Sequence, residues 1–97
     1  MFKNEEEKNM KREDAILLSK IYKVQKEIGR EVQVGDIVSR MIIPNGSCKQ
    51  KLEEFKELGF LEETVLLGAN QYSVTLPAID QMCAYRDVKR DIDEIRD

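Results

Sequence analysis

The sequence predicts a small α+β domain that is mostly helical, and three observations lead to this prediction. Apolar residues recur at helical spacing in four segments, and two short β-rich runs lie between the third and fourth of them. Glycine or proline stands near most junctions between these segments. The chain has 97 residues, which is enough for one domain and too few for two. The predicted order is therefore helix, helix, turn, helix, hairpin and helix.

The first predicted helix follows a polar segment without apolar periodicity. Residues 1–12 are expected to form a disordered tail. From Glu13 onward, apolar residues fall at steps of four, three and four, namely Leu17, Ile21, Val24 and Ile28. This spacing predicts one buried helix face, and Gly29 is expected to end the helix as its C-terminal cap.

The second and third predicted helices flank a turn. The second extends from about Val34 to Met41, with inward-facing side chains expected at Ile37, Val38 and Met41. Residues 42–46 interrupt the helical pattern, because proline restricts the residue before it and Asn-Gly favours a turn. The third helix is expected to begin at Ser47, where Gln50 completes a capping-box pattern, and to run to about Leu58. Its apolar face should hold Cys48, Leu52, Phe55 and Leu58.

A β-hairpin and one last helix complete the order. Strand-like runs at 60–67 and 71–76 flank a turn at 68–70, and this pattern predicts the hairpin. Pro77 is expected to start the last helix, since proline is favoured at the first helical position. This helix is expected to extend over 77–97 as one element.

The last predicted helix carries an apolar stripe that has two interpretations. The stripe falls at steps of three, four and three and consists of Tyr85, Val88, Ile92 and Ile95. It can pack on its own domain, as is expected for the near end of the helix at Ile79 and Met82. Beyond about Tyr85 the helix should outrun so small a domain, and an exposed apolar stripe favours a partner. We therefore expect these four residues to form the interface of a homodimer.

Composition argues against several classes of function. The chain has no histidine, its two cysteines form no CxxC pair, and it has no glycine-rich phosphate loop. We therefore expect no metal site, no cofactor and no enzymatic activity. The chain also has no apolar run of eighteen residues and no apolar segment near its start, so neither a membrane span nor a secretory signal is predicted. A cytoplasmic location is the resulting expectation.

Charge is unevenly distributed along the chain, although the net charge is only −3. Residues 11–56 contain ten Lys or Arg and seven Asp or Glu, a balance of +3. Residues 57–97 contain four and nine, a balance of −5, and residues 1–10 add −1. A basic segment followed by an acidic one indicates that the two have different roles.

The third helix and the hairpin carry a family resemblance. Residues 47–63 read SCKQKLEEFKELGFLEE, with Gly-Phe-Leu at 59–61, and residues 72–75 read Tyr-Ser-Val-Thr. These segments resemble the recognition helix, the junction into the wing and the returning wing strand of winged helix-turn-helix domains in small prokaryotic regulators of the MarR, ArsR and PadR type. The resemblance implies a three-helix core with a two-stranded hairpin wing over 13–76, and a C-terminal dimerisation helix over 77–97.

What this resemblance implies is sequence-specific binding of double-stranded DNA by a transcriptional repressor. In such domains the third helix enters the major groove, and residues near its start reach base edges and phosphates. In this sequence the implied DNA-contacting residues are Ser47, Lys49, Gln50, Lys51, Arg40, Asn45 and Gln33. A homodimer would place two such helices, each spanning 47–58, on two half-sites.

The predicted wing favours an alternative function. No basic residue occurs between Lys56 and Arg86, although phosphate neutralisation dominates affinity for nucleic acid. The apolar run Val-Leu-Leu at 65–67 either belongs to the core or forms a docking surface for a protein partner. A winged helix that binds another protein through the wing or the C-terminal stripe, without DNA, is therefore the second hypothesis.

Overall fold

The chain folds into five α-helices and one three-stranded antiparallel sheet over the part that the structure describes. A computed structural model describes residues 10–96. In chain order the elements are α1 (Arg12–Ile28), β1 (Val32–Gln33), α2 (Val34–Ser39), α3 (Asn45–Glu57), β2 (Leu61–Leu66), β3 (Ala69–Val74), α4 (Leu76–Met82) and α5 (Arg86–Arg96). The α+β class and the predominance of helix are confirmed. None of these five helices combines the length and the apolar character that a membrane span requires.

Helix α1 supplies one side of the hydrophobic core. Its buried apolar residues are Ala15, Leu18, Ile21, Tyr22 and Val24. The predicted stripe is thus confirmed at Ile21 and Val24, whereas Leu18 is fully buried in place of Leu17. The helix is capped by Gly29 as predicted, and the φ of 71° at this residue lies in the left-handed region that glycine adopts without a steric penalty.

Met10 joins the core just before α1 begins. Its backbone N–H donates to Oε1 of Gln81 over 2.8 Å, and its carbonyl oxygen accepts from the Tyr85 hydroxyl over 2.6 Å. Because Met10 is also only 4% exposed, it does not belong to the disordered tail that was expected over residues 1–12. Residues 1–9 of that segment lie outside the described residues.

Helix α3 begins two residues earlier than predicted. Pro44 occupies the N-cap position with an extended backbone, at φ −60° and ψ 147°, and Asn45 is the first helical residue. Proline is tolerated at this place because the first backbone N–H groups of a helix have no intrahelical partner. Ser47, the predicted cap, therefore lies inside the first turn.

Two apolar residues that were expected to face the core are exposed. Met41 is 87% exposed, because α2 ends at Ser39 and Met41 adopts a left-handed φ of 59° in the turn that follows. Leu58 is 54% exposed, because it is the C-cap of α3 and the backbone changes direction at Gly59. In both cases the helix has ended before its periodicity could direct the side chain inward.

The sheet has the strand order β1-β3-β2, and both pairings are antiparallel. Strand β1, which the sequence did not predict, pairs with β3 by placing Val32 opposite Tyr72. Strands β2 and β3 form the predicted hairpin, but its loop is the two-residue Leu67-Gly68 turn, with φ values of 54° and 81°. The sheet thereby ties the segment between α1 and α2 to the returning strand of the hairpin.

The predicted C-terminal helix is two helices. Helix α4 follows Thr75, whose hydroxyl accepts from the backbone N–H of Ala78 over 3.3 Å. A break at residues 83–85 separates α4 from α5. Within this break, the Tyr85 hydroxyl donates a hydrogen bond to the carbonyl oxygen of Met10. The prediction of one continuous helix is therefore wrong.

Packing of α5 on α1 covers the apolar stripe on which the expected homodimer rested. Val88 is 2% exposed and Ile92 is 0% exposed within the single chain, while Tyr85 and Ile95 are half-buried against the same core. The break before α5 lets this helix lie against α1, so that it does not outrun the domain. These four residues belong to the core of their own chain and are not the exposed stripe that was expected.

Candidate nucleic-acid interface

Helix α3 has one face in the core and the opposite face at the surface. Its buried residues are Cys48, Leu52 and Phe55, as predicted. At 3.6 residues per turn, the face opposite them carries four exposed residues, which are Gly46, Gln50, Glu53 and Glu57. Any groove that receives this helix must therefore accommodate those four positions.

Four of the seven predicted DNA-contacting residues are exposed in the first two turns of α3. They are Asn45, Ser47, Lys49 and Gln50, termed here the α3-start cluster. Because the helix begins early, Asn45 and Ser47 are helical and lie within about one turn of Lys49. Among the described residues, Lys49 has no carboxylate within 4.0 Å, so its ammonium group is available to an anion.

Lys51 is directed toward the body of the protein. Its ammonium lies 3.1 Å from Oδ1 of Asp14 in α1 and 3.5 Å from Oε1 of Glu54. The Asp14 carboxylate beside it is the main reason why the pKa of Lys51 is raised. The Lys51 side chain is 27% exposed, and its ammonium lies 5.4 Å from the centre of the Phe55 ring. Lys51 thus joins α3 to α1 and is not part of the α3-start cluster.

Gln33 has a structural partner at the start of α2. Its backbone N–H donates to Oδ2 of Asp36 over 2.9 Å, and its side chain accepts from the Asp36 backbone N–H, which completes a capping box. Burial alone would raise the pKa of Asp36. The hydrogen bond from Gln33 and the Arg30 guanidinium at 3.1 Å outweigh burial, so that this pKa is lowered.

Arg40 also has a partner within the chain. Its guanidinium lies 3.4 Å from Oε1 of Glu27, near the end of α1. Both side chains are more than two-fifths exposed, so the pair is a surface contact that a phosphate can displace at low cost. Arg40 is therefore less available to a phosphate than Lys49 is, but its side chain is not buried.

The outward face of α3 becomes acidic beyond its second turn. Glu53 and Glu57 follow Gln50 on this face, and both are exposed. Glu53 is paired with Lys56 at 3.2 Å, whereas Glu57 has no cation within 4.0 Å among the described residues. Because like charge repels phosphate, the surface suited to nucleic acid is confined to the first two turns.

Glu63 holds the hairpin against α3. Its carboxylate accepts from Nζ of Lys56 over 2.8 Å, from Nδ2 of Asn70 over 2.6 Å and from the Tyr72 hydroxyl over 3.1 Å. The hydrogen bond from Lys56 is the main reason why the pKa of Glu63 is lowered. This network joins both strands of the hairpin to the end of α3, so the hairpin has a defined position beside the helix.

The tip of the hairpin is apolar and exposed. Val65, Leu66 and Leu67 are 64%, 53% and 97% exposed, so the interpretation of this run as core is wrong. The hairpin presents no cation, and Glu62 beside the run is also exposed. The tip lacks the charge with which a protein usually contacts phosphate.

A groove of about 590 Å³ lies between α1 and the end of α5. Lysines from α1 and carboxylates from α5 line it, among them Lys20, Lys23, Asp91 and Glu94. None of the predicted DNA-contacting residues lines this groove, in which three lysines lie among three carboxylates. No group of three His, Cys, Asp or Glu side chains within residues 10–96 is arranged to hold a metal ion.

Comparison with known proteins gives no relative. No family model matches the chain, and no curated protein or solved structure matches it either.

Proposed function

We propose that this chain is a winged-helix domain that binds double-stranded DNA and acts as a transcriptional regulator. The element order supports this proposal, since two short helices joined by a five-residue turn precede a hairpin. The pairing of β1 with β3 supports it as well, because it joins the hairpin to the segment that directly precedes α2. In this proposal the first two turns of α3 enter the major groove.

The observation that carries the proposal is the exposure of the α3-start cluster as one polar group. Gln50 can pair bidentately with adenine through its amide, and Lys49 can reach guanine or a phosphate. Asn45 and Ser47 supply further donors at the start of the helix, where the backbone N–H groups also favour an anion. The cluster contains one lysine, so we expect modest affinity with a shallow dependence on salt, because that dependence grows with the number of phosphates that are neutralised.

The proposed DNA-contacting surface contains fewer residues than the seven that the sequence predicts. Lys51 and Gln33 have positions within the fold that a DNA contact would disrupt, and Arg40 contributes only by leaving Glu27. The proposed reading surface therefore consists of the α3-start cluster, with Arg40 as a neighbouring phosphate contact.

Binding to a random pool of duplex DNA, measured by fluorescence anisotropy at low and at physiological salt, tests the proposal. Lys49→Glu should weaken binding by about tenfold, the loss expected for one charged contact. Gln50→Ala should instead change which sequences are enriched from the pool, because a side chain that reads a base edge sets preference.

A matched control separates a local contact from a general charge effect. Lys23→Glu changes the net charge by the same amount as Lys49→Glu, but Lys23 lies in the groove between α1 and α5. Equal losses for the two variants would show non-specific attraction and contradict the proposed surface. Absence of binding by the unmodified chain at low salt would contradict DNA binding altogether.

A second candidate function is a domain that binds another protein without DNA. The exposed apolar run at 65–67 favours it, since monomeric proteins rarely expose several large apolar side chains together. The absence of cations from the hairpin agrees with it too. Failure of the DNA experiment, together with an intact fold by circular dichroism, would favour this candidate.

A further inference from the structure

The outer edge of strand β2 is unpaired among the described residues. β2 lies at one end of the sheet, with β3 on its inner side only. An unpaired edge presents backbone N–H and C=O groups that can pair with another strand. Proteins usually protect such edges with lysine, proline or a bulge, and residues 64–67 contain none of these and no charge.

The register of the hairpin determines which β2 residues direct their backbone outward. Leu66 lies opposite Ala69 across the two-residue turn, and such a closing pair exchanges hydrogen bonds. Because the pattern alternates, Val65 and Glu63 direct their N–H and C=O groups away from β3. Of these two residues, Val65 belongs to the stretch whose side chains are apolar and exposed.

We infer that the β2 edge binds a second copy of this chain, with the two β2 strands antiparallel about a two-fold axis at Val65. Such an arrangement is self-complementary, as the interface of a symmetric dimer must be. Val65 faces its own copy, and Thr64 faces Leu66 of the other copy. The interface would continue the sheet across two chains and cover the exposed apolar side chains at 65–67.

Charge favours the register with the two-fold axis at Val65 over the register with the axis at Glu63. With the axis at Val65, Glu63 of each copy lies opposite Leu67, and Glu62 lies opposite Gly68. With the axis at Glu63, two identical carboxylates would face each other, and like charges directly opposite on a strand pair are destabilising. The second copy thus offers an uncharged turn to each carboxylate of the first.

Leu67 adds an independent reason to expect that the tip is covered. It is 97% exposed at a φ of 54°, where asparagine and glycine are favoured and leucine is disfavoured. A large apolar side chain that is retained in an unfavourable backbone conformation and in water gains from contact with another surface. In the proposed dimer Leu67 lies beside the edge of the other copy. The inference does not depend on DNA binding.

The oligomeric state of the full chain, measured by sedimentation velocity over a wide range of concentration, tests the inference. We expect a concentration-dependent dimer, since an interface limited to one strand edge lies at the small end of specific interfaces. Val65→Lys should raise the dissociation constant by about tenfold or more, because it places two lysines opposite each other on the axis. Leu76→Lys is the matched control, since Leu76 is 76% exposed and lies outside the hairpin, and it should leave the dimer unchanged.

Disulfide formation provides a second readout that does not depend on the stability of the Val65→Lys variant. Val65→Cys should form a dimer linked by a disulfide when glutathione disulfide is added, because the two side chains meet at the axis. Asp80→Cys, at an exposed position of α4, should form far less of it. A chain that stays monomeric at every concentration would overturn the inference. So would a dimer that Val65→Lys leaves unchanged, or equal crosslinking by the two cysteine variants.

Discussion

The Lys51 ammonium and the Asp14 carboxylate form an ion pair at 3.1 Å that joins the middle of α3 to the first turn of α1. The Asp14 side chain is 10% exposed and that of Lys51 is 27% exposed, so water solvates the pair poorly. Each group therefore depends on the other for stabilisation of its charge. This contact fixes the helix whose first turns we propose to contact DNA.

Removal of one partner from this pair should destabilise the fold. Lys51→Met leaves a mostly buried carboxylate without its cation, and we expect a loss of about 1–3 kcal/mol in the free energy of unfolding. Asp14→Asn combined with Lys51→Met should recover most of that loss, because neither position then carries a charge. Urea unfolding of the two single variants and the double variant measures the coupling, and additive losses would contradict the pairing.

Substitution at Leu67 should stabilise the single chain. Leu67→Asn replaces a residue disfavoured at a φ of 54° with one that tolerates this conformation, and we expect a gain of about 0.5–1 kcal/mol. Leu58→Asn is a suitable control, since Leu58 is also exposed but has a φ of −79° and should show no gain. Thermal unfolding at a concentration where the chain is monomeric checks both variants.

Truncation of Ile92 should weaken the fold of the single chain. Ile92 is fully buried, so Ile92→Ala should lower the free energy of unfolding by about 2–4 kcal/mol. Ile92→Val should cost only about 1 kcal/mol, because it removes one methyl group. A loss relative to the unmodified chain that is equal at every protein concentration would show that it is intramolecular. Dissociation of a dimer by Ile92→Ala, without loss of helix, would contradict the placement of α5 on α1.

Acid should destabilise the protein partly through Glu63. A carboxyl group whose pKa is lower in the folded chain stabilises the fold above its unfolded pKa, which is about 4.3 for glutamate. That contribution is lost as the pH falls through the lowered pKa of the folded state. Glu63→Gln should therefore lower the Tm at neutral pH and make the Tm less dependent on pH below about 4. A Tm profile that is parallel for both proteins would contradict the role assigned to the Lys56 hydrogen bond.

The parts of the fold that sequence could predict are those governed by local periodicity. The buried face of α3 at Cys48, Leu52 and Phe55 repeats at helical spacing and is confirmed. Strand β1 has two residues and exists through its pairing with β3, about forty positions away, so no local pattern could indicate it. The break at 83–85 likewise contains neither proline nor glycine, and Tyr85 is anchored there by Met10.

The same distinction between local periodicity and distant contacts applies to the candidate site. The exposure of Gln50 follows from its position opposite the buried face of α3, and that of Lys49 follows from its position on the flank of the helix, so both could be predicted. The contact of Lys51 with Asp14 could not, because these two residues are separated by two other elements in the chain. The exposure of the apolar run at 65–67 could not be predicted either, because alternation along a strand does not show which of its faces packs against another element.

The backbone hydrogen bonds of Met10 also indicate the order in which parts of the chain fold. Met10 is joined to Gln81 and Tyr85, which lie 71 and 75 positions further along the sequence. Contacts between such distant residues require closure of a loop that is most of the chain, and they form slowly for that reason. We therefore expect these bonds to form after α1, α3 and the hairpin have assembled. The amide of Met10 should accordingly exchange its hydrogen by local opening, well before the amides of the core. We thus expect the hydrogen bonds of Met10 to be the last to form during folding and the first to open in the folded chain.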